Sequence, residues 1–376
     1  MDPNQTKLKL VDHHLVMQAD DCLQIRTETR SFVVKGVAAR NIALKVIAIL
    51  DGESTVAEIR EKLTTFDKPE AARKILDALD QRKMLEFVEP VPAELAGYDA
   101  GKLESLAKHF KLTAAKRWDP ILKMRASIIL LHGSPEVVIP TALNLLACAA
   151  ENLVIVSEPV SARDVARSRH LHAADIGRHP AHIVTEQLNG KLPANIKAIS
   201  GTPQGLDEWR QLVRGCSLII SAASKPVVFN AEYRELNQAV LAENVYWMPL
   251  AVLDNRAIQI GPSLIPGETA CYQCYEYRFR SNVRQLESYQ AFTEAVNAVR
   301  ELDDHGVLAP FAEIAANYAA VEAVRLLTPE LRAATAGKVV DISLDDLTTE
   351  THPVLRVPRC PHCNAHADRC PEQVWA

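Results

Sequence analysis

The 376-residue sequence contains no run of about 18 apolar residues, so it offers no ordinary transmembrane helix. Its opening stretch, MDPNQTKLKLVDHH, has no basic region followed by an apolar one, and no secretory signal is expected. Internal repeats and low-complexity tracts are missing, which argues against a repeat architecture. An excess of positive charge is missing too. With 42 Lys and Arg against 47 Asp and Glu, the net charge is −5 and the pI near 6.2. That balance argues against general nucleic-acid binding and leaves room only for a local basic patch. What is present, 48% hydrophobic and 24% charged residues in 41.5 kDa, suffices to bury sizeable cores without disulfide staples. The expectation is a cytoplasmic, soluble, mixed α/β protein of two domains.

Cysteine is the residue type that says most. Of eight, Cys22, Cys148 and Cys216 are scattered, Cys271-Tyr272-Gln273-Cys274 and Cys360-Pro361-His362-Cys363 form two CxxC pairs, and Cys370 stands beyond the second pair as an outer neighbour of that site or a free thiol. Two residues between thiolates let both point at one ion roughly 2.3 Å away. Two such pairs make a closed four-thiolate site, the pattern of structural rather than catalytic zinc. A redox CxxC would call for a thioredoxin-like context, which is absent. Residues 275–359 separate the pairs, so the metal would tie the C-terminal segment back to an earlier loop.

The N-terminal stretch reads as a small domain over residues 1–90. Alternating runs at Leu15–Gln18, Leu23–Arg26 and Ser31–Lys35 predict three strands. Asn41–Leu50 has apolar residues at helical spacing and is stopped by Asp51-Gly52; Ser54 is the expected N-cap of the next helix. A third helix is expected over Pro69–Met84. Three strands and three helices in this space predict a winged helix-turn-helix. Its usual DNA-binding use is disfavoured, because the third helix sets Glu70, Asp77 and Asp80 against Arg73, Lys74, Arg82 and Lys83. Residues 91–120 read as a linker, with EPVPAELAGYDAGK rich in turn formers and LESLAKHFKLTAAKRW fit for one amphipathic helix.

Residues 121–376 open with a βαβ pattern: Ser127–Leu131 as a buried strand, His132-Gly133-Ser134-Pro135 as a tight loop, Val137–Ala150 as a helix and Leu153–Val156 as the next strand. Ser217–Ile220 and Val245–Leu250 add strands, giving a doubly wound Rossmann-type sheet in outline.

Three stretches carry a family resemblance: Asp175-Ile176-Gly177-Arg178 after an Arg-rich loop, Gly261 through Cys274 (GPSLIPGETACYQC), and the closing CPHC. Together they resemble the ThiF-like, ubiquitin-activating-type adenylating family, and within it the members that work on ribosomally synthesised, post-translationally modified peptides. The N-terminal segments SFVVKGVAARNIALKVIAILDGESTVAEIREKL and ILDALDQRKMLEFV are similar to the PqqD-like precursor-peptide recognition element. The resemblance spans essentially the whole chain. It implies a leader peptide added as an edge strand beside Phe32, Val33, Val34 and Lys35, by β-augmentation. On that expectation Val34→Pro should abolish leader binding by deleting a ladder N–H. The resemblance also implies structural zinc at Cys271, Cys274, Cys360 and Cys363, a homodimer, and ATP with magnesium in the nucleotide cleft.

The departures from the family pattern weigh against that last point. The expected GxGxxG phosphate cradle reads Gly133-Ser134-Pro135-Glu136-Val137-Val138, with one glycine, a proline lacking an N–H and an added negative charge. The ribose-holding acid falls on Ser157 or Glu158, Arg178-His179-Pro180 stands where a phosphate-binding lysine is expected, and Ser221–Lys225 holds no carboxylate for magnesium. Gly133, Glu158, Arg167 and Arg178 are the remaining candidates for nucleotide contacts, with Arg163 and Arg169 beside them. No catalytic residue is assigned: the stretch Tyr275–Val339 has no cysteine, and Cys148 and Cys216 lie in apolar surroundings. Two readings follow. In one, the protein binds a leader and delivers the precursor to a separate YcaO-type cyclodehydratase that forms thiazole or oxazole rings. In the other, it is a self-sufficient ATP-dependent enzyme of the pantocin A type, an architecture shared with microcin C-type enzymes. A nicotinamide oxidoreductase would need an intact glycine fingerprint and no four-cysteine site.

Overall fold

The structure is a computed structural model, and it describes residues 4, 6–12, 14–19, 21–27, 30–111, 116–223, 229–253, 256–298, 308–328 and 331–364. The chain divides into two compact units, Met1–Pro92 and Ala93–Ala376.

The first unit runs β1 (Lys7–Leu10), β2 (His14–Ala19), β3 (Cys22–Arg26), β4 (Ser31–Lys35), α1 (Val37–Ile49), β5 (Asp51–Thr55), α2 (Val56–Thr64), α3 (Pro69–Gln81) and β6 (Leu85–Phe87). Its strands form two antiparallel three-stranded sheets, ordered β2-β3-β4 and β5-β1-β6. In β4 the sequence SFVVK alternates strictly, Phe32 and Val34 entering the core and Ser31, Val33 and Lys35 facing out. That core collects Leu23 and Ile25 from β3, Val46 from α1, Ile59 and Leu63 from α2, and Leu79 from α3. Asp51-Gly52 ends α1 as expected but opens β5 rather than a loop. The N-cap of α2 is Thr55, not Ser54. Thr55 Oγ1 accepts the Glu58 N–H while Glu58 returns a bond to the Thr55 N–H, a complete capping box. Ser54 is buried in β5.

The second unit comprises α4 (Ala100–Lys111), α5 (Asp119–Ala126), β7 (Ile128–Gly133), α6 (Pro135–Ala147), β8 (Asn152–Ser157), α7 (Ala162–Ala166), α8 (Pro180–Leu188), β9 (Asn195–Ser200), α9 (Leu206–Val213), β10 (Leu218–Ala223), α10 (Ala231–Glu243), β11 (Tyr246–Leu253), β12 (Ala257–Ile260), α11 (Tyr272–Ser281), α12 (Leu286–Ala298), α13 (Ala309–Leu327), β13 (Lys338–Ser343) and β14 (Thr349–Pro353). Its eight-stranded sheet has the order β14-β13-β12-β11-β10-β7-β8-β9. The five strands from β11 to β9 are parallel, and β12 to β14 continue antiparallel. The central runs IILL and LII are apolar without alternation because helices cover both faces.

The segment expected as a linker belongs to this unit. A 3₁₀ turn at Ala93–Leu95 and helices α4 and α5 occupy it, and Leu95, Leu103, Ala107, Phe110 and Trp118 are buried in the sheet's main core. The amphipathic helix expected from Leu103 begins at Ala100, and its apolar face of Leu103, Ala107 and Phe110 is what ties the segment to the core. No helix among the described residues is long and apolar enough to cross a membrane.

The chain passes from β7 through β8 to β9 on one side, then returns to the other side of β7 for β10 and β11. The strand order therefore reverses between β7 and β10. In open α/β sheets that reversal, at the carboxyl ends of the strands, is where ligands bind.

Candidate functional site

The CxxC pairs converge. Cys271 stands at the N-cap of α11 and Cys274 in its first turn, while Cys360 and Cys363 come from the turn after β14. The Sγ separations are 3.8 Å for Cys271–Cys274, 3.7 Å for Cys271–Cys360 and 3.5 Å for Cys274–Cys363, and all four sulfurs lie within 4.8 Å of one another. A tetrahedron with metal–sulfur bonds of ~2.3 Å has edges of ~3.8 Å, so the four can hold one metal ion. The Val357 N–H donates to Cys274 Sγ at 3.3 Å. With the Cys271 thiol's hydrogen bond as the larger cause, it pulls the Cys274 thiol down to about 5. Burial pushes Cys363 up to about 11. Arg278 locks the returning segment by donating to the Leu355 and Arg356 carbonyls, a role the sequence did not announce. Among the described residues no other group of three or more metal-ligating side chains converges. His170 is paired with Glu313 at 2.9 Å, and His179 caps α8 and bonds the Ile199 carbonyl. His366 and Cys370 lie outside the described residues.

At the reversal between β7 and β10 the described residues bond one another closely. Gly133, at φ +123°, comes so near β10 that a Cβ there would sit 1.8 Å from the Ala222 carbonyl oxygen. The Ser134 N–H, a donor a phosphate would need, is given to that same carbonyl at 3.1 Å. Ser157 Oγ, at the end of β8, donates to the Gly133 carbonyl at 2.7 Å. The first turn of α6 is buried, and Glu136 lies in it with its Oε1 3.8 Å from Arg167 Nη1, both side chains almost fully enclosed. Burial, reinforced by the charge of Asp164, pushes the Glu136 carboxyl up to about 7. A buried glutamic acid side chain and the arginine facing it thus sit at the helix N-terminus where an anion would dock.

Arginines of the Arg-rich loop are engaged in ion pairs. Arg178 pairs with Asp175 at 2.8 Å and also with Glu186, and Arg169 pairs with Glu313 at 3.2 Å. The Asp-Ile-Gly turn is tied to Val160 in both directions: the Gly177 N–H bonds the Val160 carbonyl and the Val160 N–H bonds the Arg178 carbonyl.

The third feature is an open strand edge. Within its sheet β4 pairs with β3, and among the described residues no strand pairs with its other side. Antiparallel ladders alternate between residues that exchange hydrogen bonds and residues that do not. The bonds Thr27 N–H to Arg30 O and Gly36 N–H to Asp21 O fix the phase at both ends. Phe32 and Val34 therefore bond β3, and the main-chain groups of Ser31, Val33 and Lys35 point outward. Val34→Pro would break the internal ladder; the outward N–H in mid-strand is that of Val33.

No protein-family model and no curated protein sequence matches the chain. Solved structures do. The microcin C7 biosynthetic enzyme MccB in complex with N-formylated MccA superposes with a TM-score of 0.64 at 13% identity, over 95% of this chain and 99% of that one. E. coli MccB with ATP gives the same TM-score, identity and coverage. Selenomethionine PaaA gives 0.65 at 16% identity, over 92% of this chain and 99% of that one. The fold is ThiF-like.

In this ThiF-like sheet the sequence-predicted nucleotide residues have the following surroundings. Gly133 serves the β7–β10 approach, Arg167 faces Glu136, Arg178 faces Asp175, and Glu158 is exposed beyond β8. Ser221, at the expected magnesium position, is fully buried and accepts the Trp247 indole N–H at 3.0 Å; Ser224 and Lys225 lie outside the described residues. Burial raises the thiol of Cys148 and pushes that of Cys216 up to about 11, the opposite of what a nucleophile needs.

Proposed function

We propose that the protein captures the leader of a ribosomally synthesised precursor peptide and delivers the precursor to a separate modifying enzyme of the YcaO cyclodehydratase type. The observation that carries this reading is the β7–β10 reversal. It supports the reading because the Ser134 N–H is spent on the Ala222 carbonyl and the first turn of α6 holds buried Glu136 facing Arg167. The outward edge of β4 supports the peptide-binding half, in the manner of a PqqD-like winged helix-turn-helix element. The peptide would gain main-chain bonds from the odd-numbered residues of β4, with side-chain pockets setting register. The protein's contribution to chemistry is then proximity: holding the leader raises the core peptide's concentration at another active site. Zinc held by Cys271, Cys274, Cys360 and Cys363 leaves no open coordination position, so its part is to fix the C-terminal segment. A homodimer built on the ThiF-like unit belongs to the same reading.

A second reading, the self-sufficient ATP-dependent enzyme of pantocin A type, is favoured by one observation, the likeness to MccB solved with ATP and with N-formylated MccA. The two readings part on one experiment. The chain is incubated with magnesium-ATP and a candidate precursor peptide that it binds, and peptide mass and pyrophosphate release are followed. The capture reading predicts no mass change and no pyrophosphate until a YcaO partner is added. Modification by the chain alone would reverse the assignment.

A further inference from the structure

The outward edge of β4 is bordered by cations. Arg82, just past α3, lies over the Phe32 ring at 5.1 Å from its centroid, and its Nη1 donates to the Ser31 carbonyl at 3.3 Å. Arg30, just before β4, answers by donating to the Lys83 carbonyl. The two guanidiniums form a reciprocal clasp between the strand and the end of α3. The Ser31 carbonyl is one of the outward groups, so the clasp sits on the open edge itself. Each guanidinium carries five N–H donors in a planar fork, and a single carbonyl engages only part of that capacity.

Beyond the clasp, α3 carries an apolar stripe and β4 ends on a lysine, while exposed Asp21 is bonded through its carbonyl to Gly36 next to that end. Ala71, Ile75 and Ala78 are half-buried and recur at helical spacing in line with Arg82, forming an apolar stripe on α3. Exposed Lys74 flanks the stripe, and exposed Lys35 ends the strand. The carboxylates of α3 lie elsewhere. Asp77 lines a cleft toward α2 with Arg60, Leu63, Arg73 and Leu76. Asp80 is rotated about 160° from Arg82, and Glu70 is roughly 18 Å away along the helix axis.

We infer that the peptide accepted by this edge is an acidic one, an extended segment in which a carboxylate docks on the Arg30–Arg82 clasp and an apolar side chain lies over Ile75 and Ala78. This rests on the peptide-capture reading and adds its selectivity. A carboxylate takes the unused fork of Arg82 in paired hydrogen bonds, and the long bond to the Ser31 carbonyl is released to the incoming strand. A lysine or arginine at the same place meets like charge, so the clasp both selects and rejects.

The test is selection of a random 12-residue peptide library on the immobilised full chain, followed by fluorescence anisotropy of the enriched peptides. Acidic peptides should dominate. Their affinity should fall about tenfold with Arg82→Gln and recover in part with Arg82→Lys, and Arg82→Glu should shift the enriched set toward basic peptides. Enrichment of neutral or basic peptides by the unaltered chain overturns the charge assignment while leaving the edge in place. Enrichment unaltered by Val33→Pro, in a variant whose circular dichroism matches the parent, overturns the edge itself.

Discussion

Gly133 is held by packing. Its positive φ and the Ala222 carbonyl against its missing Cβ demand glycine whether or not a nucleotide ever binds. Gly133→Ala should therefore cost at least about 3 kcal/mol of stability, read from the denaturation midpoint, since both strain and overlap oppose it. A loss below about 1 kcal/mol would show that the strands can part. Glu136 makes a prediction of opposite kind. Its carboxyl is raised from 4.5 to about 7, so the folded protein keeps a proton that the unfolded chain has already lost. Stability from this group is complete below about 4.5 and is lost as pH rises through about 7. Relative to Glu136→Gln, the parent should lose roughly 1–3 kcal/mol between pH 5 and 7.5. A difference flat with pH would mean the carboxyl is not enclosed as described. The charge of Glu136 beside the glycine loop was legible in the sequence. Its pairing with Arg167 was not, because it depends on how the loop after β8 folds back.

At the level of elements, the β4 edge separates two neighbouring substitutions. Val33→Pro should abolish peptide binding with the first unit still folded, whereas Val34→Pro removes a bond to β3 and should destabilise that unit by about 2–4 kcal/mol. Urea denaturation beside peptide titration distinguishes them; equal effects from both would place the phase of the ladder wrongly. Strands β2 to β4 and the helices were readable from their apolar spacing. Strands β1, β5 and β6 were not: Lys7–Leu10 alternates but is overshadowed by the longer pattern that follows, Leu85–Phe87 is too short for a period, and β5 begins on the Asp51-Gly52 that sequence logic treats as a stop. Ser54 and Thr55 are both good caps, and burial rather than propensity decides between them.

Over the whole molecule, the two CxxC pairs were the most legible feature, since a ligand spacing needs no knowledge of the fold between them. The structure adds that Arg278 and the Val357 N–H set the returning segment. Purified protein should carry one zinc per chain by elemental analysis, and Cys363→Ser should lose it and expose residues near the C-terminal pair to proteolysis. Full zinc occupancy in that variant would contradict the four-cysteine assignment. The β7–β10 reversal was only half legible: the single glycine of the fingerprint showed what donors were missing, but not that Ser134 bonds Ala222, Ser157 bonds Gly133 and Glu136 faces Arg167. The capture reading requires that this reversal take no nucleotide. Calorimetric titration of the intact protein with magnesium-ATP tests it directly. No binding heat up to millimolar nucleotide is the predicted result; saturable binding in the micromolar range would contradict the capture reading and return the protein to the ATP-dependent enzymes.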